Sequence, residues 1–150
     1  MKYAVVTLPR FADAGRKISE FLEADLHLYH AEIFRELTGT ADCIVALMSS
    51  GIAVRGVAPY LTDNWHDAAL VVVTPALSYA IPVLGGHHGA NDCVKRLAAL
   101  GITPVISTAT EVTGKVSVEE TAKRIGCVVV NRSSTRKVNG AVLDSDRSEE

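Results

Sequence analysis

The chain has 150 residues, 48% of them apolar and 21% charged, with a formal net charge of −2 and a pI near 6.2. That is enough chain for one domain with a sizeable core, and the composition lies outside the disordered class. The near-neutral balance excludes a nucleic-acid binder that relies on bulk positive charge.

In chain order, Tyr3–Leu8 is a β-rich run ended by Pro9, and Ala14–Leu22 is an amphipathic helix with Ile18, Phe21 and Leu22 on one face. Asp25–Tyr29 is a short strand and Glu32–Leu37 a helix that stops near Gly39. Cys43–Met48 is continuously apolar, as a strand covered on both faces should be. Ser49, Ser50 and Gly51 open a helical run to about Leu61. Ala69–Val73 and Tyr79–Leu84 are further strands, followed by a helix over Ala90–Leu100 closed by Gly101. Thr103–Ser107 is a strand, Ser117–Ile125 a helix closed by Gly126, and Cys127–Asn131 a strand. Asn139-Gly140, flanked by Arg136-Lys137-Val138 and Ala141-Val142-Leu143, is the favoured two-residue turn of a β-hairpin. Residues 144–150 form a charged, frayed tail. There is no internal repeat and no low-complexity linker.

The alternation predicts an α/β fold: one domain over residues 1–143, an open, mostly parallel sheet with helices on both faces, and a C-terminal β-hairpin. No charged-then-apolar leader is visible, and no apolar run approaches the ~20 residues that span a membrane. The expected location is the cytoplasm, with no membrane or nucleic-acid partner. The cysteines Cys43, Cys93 and Cys127 form no C-x-x-C pair. Cys43 and Cys127 lie in apolar runs, so both are expected to be buried reduced thiols.

Three polar loops each begin where an apolar strand ends: Ser49-Ser50-Gly51, Gly85 to Asn91, and Thr108-Ala109-Thr110-Glu111. If the strands are parallel, all three emerge on the carboxyl edge, where open α/β sheets bind ligands. In the second loop, Gly85, Gly86 and Gly89 let the backbone turn tightly, and His87 and His88 add groups that change charge near neutral pH. Read functionally, the loop binds an anion and moves a proton; read structurally, it is a tight turn with exposed histidines. It is neither a G-x-G-x-x-G nor a G-x-x-x-x-G-K-[ST] motif, which disfavours nucleotides. Adjacent imidazoles diverge, and nothing in the spacing requires His66 as a third ligand, so no metal site is expected. Ser49 or Ser50 is a good N-cap. Arg55 either snorkels to water or forks onto a carboxylate. Thr108, Thr110 and Glu111 either cap the next helix or bind ligand oxygens. Trp65 and His66 are a ligand lid or a packed loop corner.

Three segments in order, Gly51-Ile52-Ala53-Val54-Arg55-Gly56-Val57-Ala58-Pro59, Leu84-Gly85-Gly86-His87-His88-Gly89-Ala90-Asn91 and Thr108-Ala109-Thr110-Glu111, resemble successive motifs of the CbiG family of cobalamin biosynthesis. The resemblance covers roughly residues 40–115 well and 1–40 loosely. That family is cobalt-precorrin-5A hydrolase, which opens a lactone on a cobalt-tetrapyrrole and releases a ring carbon with its methyl as acetaldehyde. The resemblance implies that His87, with His88 beside it, serves acid–base catalysis. It implies that Ser49, Ser50, Gly51, Arg55, the loop glycines, Asn91, Thr108, Thr110 and Glu111 hold the carboxylate arms or the lactone oxygen. It implies no cofactor, because the cobalt belongs to the substrate.

The chain departs from the family pattern in three ways. Its glycine loop is one residue shorter, Glu111 stands where aspartate is usual, and family members normally continue into a second, C-terminal domain. Either that domain is a separate polypeptide and an expected partner, or the chain is a stand-alone relative with a changed role; homo-oligomerisation is left open. Beside the hydrolase stand two alternatives: a non-catalytic tetrapyrrole- or polycarboxylate-binding module, and a scaffold subunit.

Overall fold

The computed structural model describes Met1–Ser145, and divides the chain into two compact units, Met1–Val105 and Ile106–Glu150. The residues of the expected charged tail beyond Ser145 lie outside the described ones.

The first unit is built on a six-stranded sheet of order β2-β1-β3-β4-β5-β6. Its strands are β1 (Tyr3–Thr7), β2 (Asp25–Leu28), β3 (Cys43–Leu47), β4 (Ala69–Val73), β5 (Tyr79–Leu84) and β6 (Thr103–Pro104). Its helices are α1 (Ala12–Leu22), α2 (Ile33–Thr38), α3 (Ser50–Val57) and α4 (Ala90–Leu97). The central strands β3 and β4 are buried at every residue, which is why they read as unbroken apolar runs rather than alternating ones. Alternate residues feed the two faces. Val6, Ile44, Ala46, Leu70 and Val72 pack with Ile33, Phe34, Leu37, Ala53 and Val57 from α2 and α3. On the opposite face α1 packs on β1 and β2, and α4 on β4, β5 and β6. Gly15 of α1 lets that helix approach β1 closely, since a Cβ there would stand 3.0 Å from Thr7 Cγ2 and from Leu26 Cδ1.

All strand pairs are parallel except β4 with β5. The connection Thr74–Ser78 is a tight corner, not a crossover: the Thr74 amide donates to the Tyr79 carbonyl at 3.0 Å, and Thr74 Oγ1 accepts from the Ser78 and Tyr79 amides at 3.1 and 3.0 Å. Five residues reverse a chain; they cannot carry it back across a sheet to start a parallel strand. Pro82 sits in β5 opposite Val71, beside a bulge. It lies past the two residues of β5 that pair with β6, so its missing N–H interrupts no ladder on that side.

The second unit departs from the expected strands. The predicted C-terminal β-hairpin at Asn139-Gly140 is a helix, α7 (Thr135–Asp144), which packs on α6 (Val118–Arg124) and on α5 (Ala109–Val112). Asn139 is withdrawn from turn formation by tertiary bonds: its Oδ1 accepts from the Val118 amide and its Nδ2 donates to Glu119 Oε2, both at 2.9 Å. Val138 and Val142, one turn apart, line an apolar groove with Val116, Ala122 and Ile125. Lys115 Nζ donates to the Val142 carbonyl at 2.8 Å, near the end of α7, where a cation is favoured. Ser117 caps α6 by accepting from the Glu120 amide at 3.1 Å. The run Cys127–Asn131 is not a strand: Val128 is 78% and Val130 94% exposed. Cys127 is exposed as well, so only Cys43 and Cys93 of the three thiols are buried. The expected strand Thr103–Ser107 shrinks to the two residues of β6.

Among the described residues, no helix is long and apolar enough to cross a membrane.

Candidate functional site

The antiparallel β5 separates residues that a wholly parallel sheet would bring together. Leu47, at the end of β3, pairs with Val73, at the end of β4, and Val73 pairs with Ala80 near the start of β5. Ser49, Ser50, Gly51 and Arg55 thus belong to the carboxyl edge of β3, and the loop Gly85–Asn91 to the opposite edge, beside Leu70. Thr108, Thr110 and Glu111 lie in the second unit, at the start of α5, with Thr110 buried. The expected convergence on one edge is therefore corrected for the first two loops, which lie at opposite edges of the sheet.

At the first edge, Ser49 occupies the N-cap position of α3 with extended backbone, but its hydroxyl makes no cap bond. Ser50 and Arg55 are exposed. A Cβ on Gly51 would stand 3.4 Å from both terminal nitrogens of Arg55, so the guanidinium folds back over the first turn of its own helix. The first turn of α3 has no acidic residue, and no described carboxylate pairs with Arg55. A cation at the positive end of a helix dipole is an unfavourable neighbour until an anion joins it. Beside it lies a cavity of about 360 Å³ lined by Tyr29, Ile52, Arg55, Gly56, Pro59 and Tyr60.

At the second edge, the glycine loop is a short 3₁₀ turn, Gly86–His88, between two glycines of positive φ, Gly85 at +64° and Gly89 at +122°. The Gly85 carbonyl accepts from the His88 amide at 2.9 Å and the Ala90 amide at 3.1 Å. That closes the turn and occupies the first amide of α4. Asp92 stands in the first turn of the same helix, so a carboxylate already faces its positive end. The loop's amides are thereby less suited to an anion than its sequence implies. Asn91 is buried, with its Oδ1 sealed from solvent. His87 and His88 are half-buried, and His88 Nε2 is sealed from solvent.

Trp65 and His66 fit either a ligand lid or a packed corner by sequence; the structure packs Trp65 against this cluster, while His66 is exposed and faces Asp63. The Trp65 indole meets the His88 imidazole edge-on, with ring centroids 4.6 Å apart at 63°. Asp63 holds the loop. Its Oδ1 accepts from the Trp65 and His66 amides at 2.8 and 3.1 Å, and His66 Nδ1 lies 2.7 Å from its Oδ2. These partners, His66 first, hold the Asp63 carboxyl below the usual carboxylate range. Asp67 pins the other end, its Oδ1 accepting from the Thr62 amide and hydroxyl at 2.7 and 2.9 Å. Asp63 was missed in the sequence, although an aspartate two residues before a tryptophan in a polar loop is a usable Asx-turn signal. No group of histidine, cysteine or acidic side chains fit to hold a metal occurs among the described residues.

The Cobalamin synthesis G N-terminal family matches residues 32–111. This chain belongs to that family. It is 30% identical over 120 residues to the cobalt-precorrin-5A hydrolase of Salmonella typhimurium, covering 78% of this chain and 34% of that protein. It is 34% identical over 105 residues to the cobalt-precorrin-5A hydrolase of Priestia megaterium, covering 69% of this chain and 28% of that one. The fold matches the crystal structure of a cobalamin biosynthesis protein G homolog from Sulfolobus solfataricus, with a TM-score of 0.66 and 31% identity, over 95% of this chain and 46% of that chain. The chain thus spans about a third of the length of these curated relatives. The matched family region runs from α2 to α5 and contains both clusters of the first unit.

Proposed function

We propose that this chain supplies the N-terminal part of a cobalt-precorrin-5A hydrolase, opening the substrate lactone with loss of acetaldehyde. A separate CbiG C-terminal-type domain completes the activity. The observation that carries the reading is the His87-His88 turn: two imidazoles on a rigid turn between positive-φ glycines, in a chain of this family. His87 is the general acid–base candidate. It accepts a proton from the attacking water and returns one to the departing oxygen. Arg55, with Ser49, Ser50 and Gly51, holds a carboxylate at the other edge. Thr108, Thr110 and Glu111, in the second unit, offer donors and an acceptor of their own for ligand oxygens. The cobalt enters as part of the substrate, and the protein contributes no cofactor of its own.

The test is acetaldehyde release from cobalt-precorrin-5A by the purified chain together with a CbiG C-terminal-type domain, with His87→Ala alongside and the tetrapyrrole spectrum recorded on the same samples. Release that disappears in a folded His87→Ala variant is the expected outcome. Equal release from parent and variant would remove His87 from the reaction. A shifted spectrum without acetaldehyde would favour the second reading, a polycarboxylate-binding module. That reading is supported by the Arg55 guanidinium standing over a helix N-terminus that has no acid of its own.

A further inference from the structure

We infer that Trp65 is a positioning residue for the glycine loop. Held by the Asp63 turn, its indole fixes the His88 ring and keeps that ring out of solvent.

Three observations converge. The Trp65–His88 contact has the edge-on geometry and centroid separation of a favourable aromatic pair. The backbone that carries the indole is anchored, because the Trp65 amide donates to Asp63 Oδ1 and the loop on either side is tied down by the side chains of Asp63 and Asp67. The backbone of His88 is anchored too, since its own amide closes the turn onto Gly85. A Cβ on Gly85 would stand 3.1 Å from Ala69 Cα and Cβ, so the turn has no room to slide inwards towards β4. His88 is thus braced by an indole, with its Nε2 sealed from water.

The experiment uses the full chain and needs no substrate. Diethyl pyrocarbonate acylates imidazoles that solvent reaches, and tandem mass spectrometry resolves His87 from His88. In the parent chain the His88 ring is slow to react. Trp65→Ala is expected to raise His88 acylation roughly three- to tenfold, the range an edge-on aromatic pair supports, while Trp65→Phe restores protection. Asp63→Asn, which keeps the indole, is expected to give a smaller rise together with a red-shifted emission of Trp65, the only tryptophan in the chain. His88 protected equally in the parent, Trp65→Ala and Asp63→Asn chains would overturn the inference, and so would a Trp65→Phe chain as reactive as Trp65→Ala. Far-UV circular dichroism on each variant separates local exposure from unfolding; if Trp65→Ala unfolds, Asp63→Asn decides. Acetaldehyde release on the same variants then separates the two readings. Loss of His88 protection in a chain that never hydrolyses the lactone, even with a C-terminal-type domain added, supports the brace and rejects the hydrolase.

Discussion

Arg55 and His87 stand at opposite edges of one sheet, because β5 runs antiparallel to β4. A five-residue strand such as β3 spans about 16 Å, so the two side chains cannot grip the same small group. Their substitutions are expected to act independently. On the function proposed above, Arg55→Ala should weaken tetrapyrrole binding about tenfold, the low end for a charge-assisted hydrogen bond because the residue is exposed. His87→Ala should leave the dissociation constant within about twofold, and the double variant should be additive to within ~0.5 kcal/mol. Titration of the tetrapyrrole absorption spectrum with all four chains measures this. Strong non-additivity would place both residues on one ligand group.

Gly85 and Gly101 both have positive φ, at +64° and +79°, but only Gly85 is crowded, by Ala69. Gly101→Ala should therefore cost about 1 kcal/mol, the left-handed penalty alone. Gly85→Ala should cost about 2–3 kcal/mol, since the backbone of β4 adds crowding that it cannot relieve. Urea denaturation of the three chains reads the difference, and equal losses would mean that β4 yields.

Gly56 tests how α2 and α3 meet. A Cβ there would overlap the ring of Phe34, a side chain only 1% exposed in the core. Gly56→Ala should lower stability by about 1–3 kcal/mol. Gly39→Ala, at a position with open space, is the control and should change stability by less than about 1 kcal/mol. Thermal melts of both variants decide whether the packing is as tight as it looks.

Much of this fold is legible in the sequence. Ala69–Val73 and Tyr79–Leu84 are strands over the predicted residues, and Cys43–Met48 differs from β3 by one, because buried strands and helix periods leave strong patterns. The direction of β5 was also legible, in the shortness of Thr74–Ser78, but the alternation of helices and strands pointed the other way. Asn139-Gly140 was not legible. Its local preference for a turn is overridden by hydrogen bonds to Val118 and Glu119 about twenty residues away. The candidate site divides similarly. Its glycines and histidines stand out by type, whereas the Trp65–His88 contact depends on how loops from separate elements pack.

Asp63 gives the loop a pH dependence whose sign follows from its depressed carboxyl. A carboxylate stabilised in the folded state contributes stability above its unfolded value of 3.8, and that contribution is lost as pH falls through the lower folded value. The Trp65 loop should hold from neutrality to about pH 4 and loosen below. Emission from the single tryptophan should then red-shift before far-UV circular dichroism falls. Asp63→Asn should remove that early step. An early step that persists in Asp63→Asn would assign it to another group.

The thiols give the last expectation. Cys43 and Cys93 are both fully buried, and the Cys93 thiol, with burial, pushes the Cys43 thiol far up. The thiolate is the reactive form, so Cys43 should be inert while the fold holds. Cys127, in the second unit, is exposed. Native chain should therefore react with Ellman's reagent at one of its three cysteines, and all three should react in denaturant. Cys127→Ser should abolish the native reaction. Two fast thiols in the native chain would mean that β3 or α4 opens on the timescale of labelling.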